Sequence, residues 1–237
     1  MGFASRKGIF MNRLLLRFFL YVFVFFFIPS ISNFCWANIS LEELNRVKEK
    51  AEQGDPENQN ELAILYYKGQ GVHQNYSEAA KWFRKAADQG YAKAQHILGG
   101  LYYVGKGVSQ SHTEAAKWYR KAADQGDVGA QNTLAGLYAR GEGVPQSLSE
   151  AAKWYRKAAD QDDYMAQTRL GQLYEKSQSF KEAAKWYRKA ANKGFPVAQY
   201  YLGLLYKAGK GVPQSDNEAA KLLRKAAEKG YPRAKKN

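Results

Sequence analysis

Five glutamates recur along the chain, Glu78, Glu114, Glu150, Glu182 and Glu218, at spacings of 36, 36, 32 and 36 residues. A row of carboxylates is raw material for general acid–base catalysis, and His73, His96 and His112 are the side chains to weigh as metal ligands. Neither set is arranged for chemistry. Asn75, Ser111, Ser147, Ser179 or Ser215 stands three residues before each Glu. That is the spacing of a capping box. The cap oxygen accepts a first-turn N–H, and the Glu reaches back to the cap's own N–H. The histidines lie in different local settings, without HExxH spacing and without cysteine beside them, so no metal site is expected. The G-x-G loops lack a G-K-[ST] ending and follow helical rather than strand patterns, which argues against phosphate binding. No S-x-x-K occurs, the pattern that usually announces β-lactam chemistry. No catalytic residue, cofactor or metal is therefore expected. A cell-wall or β-lactam hydrolase is the alternative reading.

The charge is more pronounced. The chain carries 36 Lys and Arg against 22 Asp and Glu, a net charge of +14. Lys81, Arg84 and Lys85 fall on one helical face, and the triplet returns at Lys117/Arg120/Lys121, Lys153/Arg156/Lys157, Lys185/Arg188/Lys189 and Lys221/Arg224/Lys225. Acids four residues on, Asp88, Asp124, Asp160 and Glu228, are placed to offset the arginines. The lysine rows look less compensated. They are either a solvated face or a surface for envelope polyanions.

These side chains are positioned by a repeat. EAAKWYRKAADQ occurs at 114–125 and again at 150–161, with variants opening at Glu78, Glu182 and Glu218. A fixed period of this length marks a stacked repeat architecture. Each unit holds two helices. In the second, Ala92 to Val104 places Ala94, Ile97, Leu98, Leu101 and Tyr102 on one face (helix A). After a glycine-punctuated loop, helix B presents Ala115, Trp118, Tyr119, Ala122 and Ala123, and Gly126 ends it. Ala63, Gly99, Ala135, Gly171 and Gly203 form a small-residue row for close approach. One such hairpin cannot bury its own aromatics, so neighbours must stack on it. The units are 55–90, 91–126, 127–162, 163–194 and 195–230. Residues 38–54 are expected to form a polar N-terminal capping helix, with Arg46 at the Trp position. Residues 231–237 form a basic tail.

The first 37 residues differ. Arg6, Lys7, Arg13 and Arg17 precede an apolar run from Phe18 to Ile28, and Cys35-Trp36-Ala37 offers a small residue at a cleavage point. This is the layout of a secretory signal peptide cut after Ala37. An uncleaved inner-membrane anchor over 14–28 is the alternative. Removing those four cations lowers the net charge from +14 to +10, and removing Cys35 leaves no cysteine. The expected location is periplasmic or secreted, and nucleic acid is not an expected partner.

The pattern A-x-x-x-L-G-x-L-Y, then G-x-G-V, then E-A-A-x-W-Y-x-K-A-A-x-x-G resembles the Sel1-like repeat, a relative of the tetratricopeptide repeat. It is clearest at Ala94/Leu98/Gly99/Leu101/Tyr102 with Gly105 and Gly107, and in the copies beginning at Ala130 and Ala198. The likeness spans residues 41–230. It implies an all-α, α/α solenoid of five helix-turn-helix repeats in a right-handed superhelix. The implied role is a non-catalytic protein-binding scaffold, often exported in bacteria. This chain departs from the pattern in its fourth repeat, which is 32 residues long and lacks the G-x-G-V loop. Asp162 also stands where a helix-ending glycine is usual.

In such solenoids the A helices line the concave face. There the copies of this chain stop agreeing. One column reads Asn60, His96, Asn132, Thr168, Tyr200, and another Tyr67, Tyr103, Ala139, Glu175, Lys207. Asn60, Tyr67, His96, Tyr103, Asn132, Thr168, Glu175, Tyr200 and Lys207 are therefore the candidate residues for binding a protein or peptide. The last helix B keeps Leu222, Leu223, Ala226 and Ala227 with no complete helix to cover them. Weak self-association through this edge is expected.

Overall fold

The structure, a computed structural model, describes residues 39–236, with side chains to residue 234. The expected signal segment, Cys35 included, lies outside the described residues. Residues 41–237 form one compact unit. Among the described residues there are eleven α-helices, a terminal 3-10 turn and no strand. The capping helix is α1 (Leu41–Glu52). The A and B helices then alternate as α2 (Pro56–Lys68), α3 (Tyr76–Asp88), α4 (Ala92–Val104), α5 (His112–Asp124), α6 (Val128–Arg140), α7 (Leu148–Asp160), α8 (Tyr164–Lys176), α9 (Phe180–Asn192), α10 (Pro196–Ala208) and α11 (Asp216–Glu228). The 3-10 turn is η1 (Pro232–Lys236). Each helix packs on its neighbour in sequence, so the pairs stack as an α/α solenoid. No helix among the described residues is long and apolar enough to cross a membrane.

Capping explains the B-helix starts, with a correction. Asn75 Oδ1 accepts from the N–H of Ser77 and Glu78, and Ser111, Ser147 and Ser215 accept from Glu114, Glu150 and Glu218 at 3.2–3.3 Å. The reciprocal half of the box is replaced. The backbone N–H of Asn75, Ser111, Ser147 and Ser215 donates to the carbonyl of Tyr66, Tyr102, Tyr138 and Tyr206, at 2.9–3.0 Å. That bond closes the hairpin and leaves the glutamate nothing to satisfy. Glu78, Glu114, Glu150 and Glu218 instead pair with Lys81, Lys117, Lys153 and Lys221. Ser179, in the shortened repeat, makes no side-chain cap bond. Three A helices have caps of their own: Asp55, Asp127 and Asp163 each accept from the N–H three residues on, at 2.7 Å.

The core follows the expected faces. Trp118 and Tyr119 are each 5% exposed, and Ala115 and Ala122 are sealed. The small-residue row lets the aromatics in: a Cβ on Gly171 would stand 2.6 Å from the Tyr187 ring. A buried glutamine row was not anticipated. Gln59, Gln95, Gln131, Gln167 and Gln199 donate to the carbonyls of Ala51, Ala87, Ala123, Ala159 and Ala191, at 3.0–3.3 Å, tying each A helix to the end of the preceding B helix. Gln89, Gln125 and Gln161 then donate to the side-chain oxygens of Gln59, Gln95 and Gln131, at 2.8–2.9 Å. Lys193 and Lys229 occupy that position in the last two repeats. The side-chain oxygens of Gln167 and Gln199 are left buried without a protein partner.

The C-terminal edge is better covered than expected. Ala234 of η1 is buried, Leu223 is 7% exposed, and Leu222 is half-buried against the last core cluster.

Candidate functional site

The first candidate column serves the stacking. His96 Nδ1 lies 2.9 Å from Asp127 Oδ1, and Asn132 Nδ2 donates to Asp163 Oδ1 at 3.0 Å. Both acceptors are N-caps of the following A helix, so these residues join consecutive repeats. Asn60 and Thr168 are more buried than the reading expects. They are 8% and 3% exposed, with Thr168 donating to the Tyr164 carbonyl. Asn60 is buried, and Thr168 shows only at the wall of a groove that it shares with Met165 and Arg169. Tyr200 is half-buried against Tyr201 and Tyr231.

The second column is similarly engaged. Lys106 Nζ donates to Tyr67 Oη at 3.2 Å and sits over its ring. Tyr103 donates to Glu142 at 2.9 Å and stacks on His112. The Arg140 and then the Tyr103 donor hold the Glu142 carboxyl below the usual range. Glu175 accepts from Tyr187 at 2.8 Å. Burial, and then the Glu175 charge, push the Tyr187 phenol strongly upward. Lys207 is exposed.

Most of the basic rows make contacts within the solenoid. Lys81, Lys117 and Lys153 pair with their glutamates at 2.5–2.7 Å. Lys85, Lys121, Lys157 and Lys189 lie over Trp82, Trp118, Trp154 and Trp186, 3.7–4.3 Å from the ring centres. Arg84, Arg120, Arg156 and Arg188 donate to Tyr102, Tyr138, Tyr174 and Tyr206 of the next repeat. The first three also face that repeat's tryptophan. The expected arginine pairs with Asp88, Asp124 and Asp160 do not form, because the guanidinium reaches forward onto an aromatic wall. Such cation–π contacts contribute about 0.5–1 kcal/mol each at exposed sites.

Open surface lies elsewhere on the A-helix face. A groove of about 580 Å³ runs between α6 and α8, walled by Arg140, Tyr155, Met165, Arg169, Gln172 and Lys176. A second, of about 360 Å³, shares Met165, Arg169 and Gln172 and continues to Phe195, Tyr201 and Arg233. Met165 is 52% exposed, an apolar anchor beside cations. The sequence did hold a signal for these positions. The Met165 column reads Glu57, Lys93, Gly129, Met165, Val197, and the Arg169 column Glu61, Ile97, Thr133, Arg169, Tyr201. Both vary more than the columns selected. No cluster of metal-ligating side chains occurs among the described residues.

The Sel1 repeat family profile matches residues 57–91, 92–127, 128–163, 165–195 and 196–231. These ranges track the units read from the sequence to within one or two residues. Among solved structures, a Sel1 repeat protein from Oxalobacter formigenes is 35% identical over 82% of each chain, with a TM-score of 0.78. The protein c5321, a protective antigen present in uropathogenic Escherichia coli strains, is 30% identical over 83% of this chain and 50% of its own, with a TM-score of 0.68. No curated protein matches the sequence significantly. Sel1 repeat proteins are generally protein-interaction scaffolds. With five matched repeats over most of its length, the chain belongs to the Sel1 repeat family.

Proposed function

We propose that the chain is an exported, non-catalytic scaffold that binds an acidic, extended segment of a partner protein on the A-helix face of repeats 3–5. The supporting observation is the pair of adjoining grooves that share Met165, Arg169 and Gln172. An exposed thioether adapts to varied apolar side chains, and Arg169 and Lys176 favour carboxylates. Asn132 contributes to the rim of the first groove. Glu175, Tyr200 and Lys207 lie on the A helices of the same repeats, and Tyr67, His96 and Tyr103 on those of repeats 1 and 2. Photo-crosslinking from position 172 in the producing cell, with position 117 as control, identifies the partner. Arg169→Glu together with Met165→Ala is expected to weaken binding by about tenfold or more without unfolding. Unchanged affinity moves the site elsewhere, and sustained turnover of nitrocefin or peptidoglycan makes the chain an enzyme.

Export rests on the basic, then apolar, then small-residue order of residues 6–37. A mature N-terminus at Asn38 supports it. Retention in the inner membrane with residues 14–28 intact supports the anchor instead. Weak self-association belongs to the same reading, with Leu222 as the remaining half-buried apolar contact at the C-terminal edge.

A further inference from the structure

Each full-length repeat after the first lays its Gly-x-Gly-Val loop across the start of the preceding B helix. Gly107 lies against Tyr76, Gly143 against His112 and Gly211 against Phe180, and in all three a Cβ would collide with the carbonyl. These glycines also hold φ of 70–75°, so two separate constraints demand the residue. The loop residue between the glycines covers the same helix start: Lys106 Nζ is 3.9 Å from the Tyr76 ring centre and Lys210 Nζ 5.1 Å from that of Phe180. Val108, Val144 and Val212 pack onto the core clusters. Beneath this cover the second alanine of the B helix is sealed, with Ala80 at 3%, Ala116 at 3% and Ala184 at 2% exposure.

Repeat 4 lacks the loop, and its hairpin turns through Ser177–Ser179 with Gln178 at φ 58°. The start of α7 is consequently bare. Leu148 is 40% exposed, whereas Tyr76, His112 and Phe180 are half-buried. Ala152 is no longer sealed. Leu173 is half-buried, whereas its counterparts Leu101, Leu137 and Leu205 are at most 3% exposed. The gap is a groove of about 370 Å³ walled by Leu148, Ala152, Leu170, Leu173 and Tyr174, with Lys176 at its mouth.

We propose that this groove docks a loop of a partner protein that presents a glycine followed by a β-branched aliphatic residue. The same chain holds three filled copies of the site, and they define the occupant. A valine-sized side chain enters between Ala152 and Leu173. The residue before it crosses the start of α7, where the sibling junctions admit only glycine. Leu148, aliphatic where the siblings carry rings, suits an apolar flank. The site is distinct from the grooves around Met165, although Leu173 and Lys176 line both, and it does not depend on them.

The probe is a synthetic peptide of residues 103–111 of this chain, which carries Gly105-Lys106-Gly107-Val108. Added to the full mature chain, it is expected to shift the methyl signals of Leu148, Ala152 and Leu173 saturably at millimolar peptide. A Val108→Asp peptide is expected to bind about tenfold or more weakly. In the protein, Leu148→Asp should do the same while melting normally, because the residue is exposed and a carboxylate is favoured in a first helical turn. A second variant, with Gly-Lys-Gly-Val inserted between Lys176 and Ser177, supplies its own occupant. It should melt higher than wild type and ignore the peptide. Equal binding of both peptides, shifts mapping elsewhere, no response at millimolar peptide, or an insertion variant that gains no stability each overturns the proposal. Self-association of wild type that Leu148→Asp abolishes also overturns it, by assigning the groove to a second copy.

Discussion

The imidazole Nδ1 of His96 lies 2.9 Å from the carboxylate of Asp127, which itself caps α6 by accepting from the Ala130 N–H at 2.7 Å. A residue on one A helix thus holds the cap of the next. Replacing Asp127 with Ala is expected to cost about 1–2 kcal/mol through the lost cap. A His96→Ala/Asp127→Ala double-mutant cycle should return a coupling of about 0.5–1 kcal/mol. Additive effects in urea titrations would show that the pair is incidental. By the same logic, the triple Tyr67→Ala/His96→Ala/Tyr103→Ala variant melts lower than wild type.

Trp118 is 5% exposed, with the Lys121 ammonium over its ring and the Arg84 guanidinium of the preceding repeat facing it. Trp118→Ala is expected to cost about 3–5 kcal/mol, as for other large aromatic truncations. An unchanged melting midpoint would reverse the assignment of the helix B face.

Lys193 pairs with Asp162 across an exposed 3.0 Å contact, while the side-chain oxygen of Gln167 stays buried without a protein donor. Lys193→Gln restores the amide found at Gln125 and Gln161. It is expected to stabilise the chain by about 1 kcal/mol, because a buried acceptor gains its bond and an exposed ion pair contributes little. A lower midpoint in thermal melts would refute this.

Glu142 carries a pH dependence. Its folded pKa is depressed by donation from Arg140 and Tyr103. Its contribution is present above the unfolded carboxyl pKa and is lost as pH falls through the lower folded value. Wild type should therefore lose stability below about pH 4 more steeply than Glu142→Gln, which has no such proton to take up. Parallel melting curves from neutral to acidic pH would rule the contact out as a contributor.

Leu222→Glu tests the C-terminal edge more cleanly than Leu223→Glu, because Leu223 packs at Gly203 and is buried. Sedimentation of wild type at rising concentration should show weak association that Leu222→Glu removes. A wild type that stays monomeric at high concentration discards the edge as a contact.

The sequence by itself determined the repeat register, both helices of each unit and the buried face of helix B. Ala92–Val104 was read with both ends in place. These features rest on contacts between residues three or four apart and on caps one turn away, and such spacings are visible along the chain. The missing loop of repeat 4 was equally plain. What the missing loop exposes was not, because the surface it leaves bare belongs to the previous repeat, at Leu148 and Ala152. The tertiary structure alone decided the fate of the charges and of the variable columns. Arg84 reaches Tyr102 and Trp118 of the next repeat, rather than Asp88 one turn along. His96 and Tyr103 are occupied by Asp127 and Glu142 from the following repeat. The buried glutamines reach carbonyls at the end of the preceding repeat, as Gln95 does at Ala87 and Gln131 at Ala123. Contacts of this kind depend on how one hairpin lies against the next. No local periodicity encodes that geometry, and a polar side chain in a variable column looks the same whether it meets solvent or the neighbouring repeat.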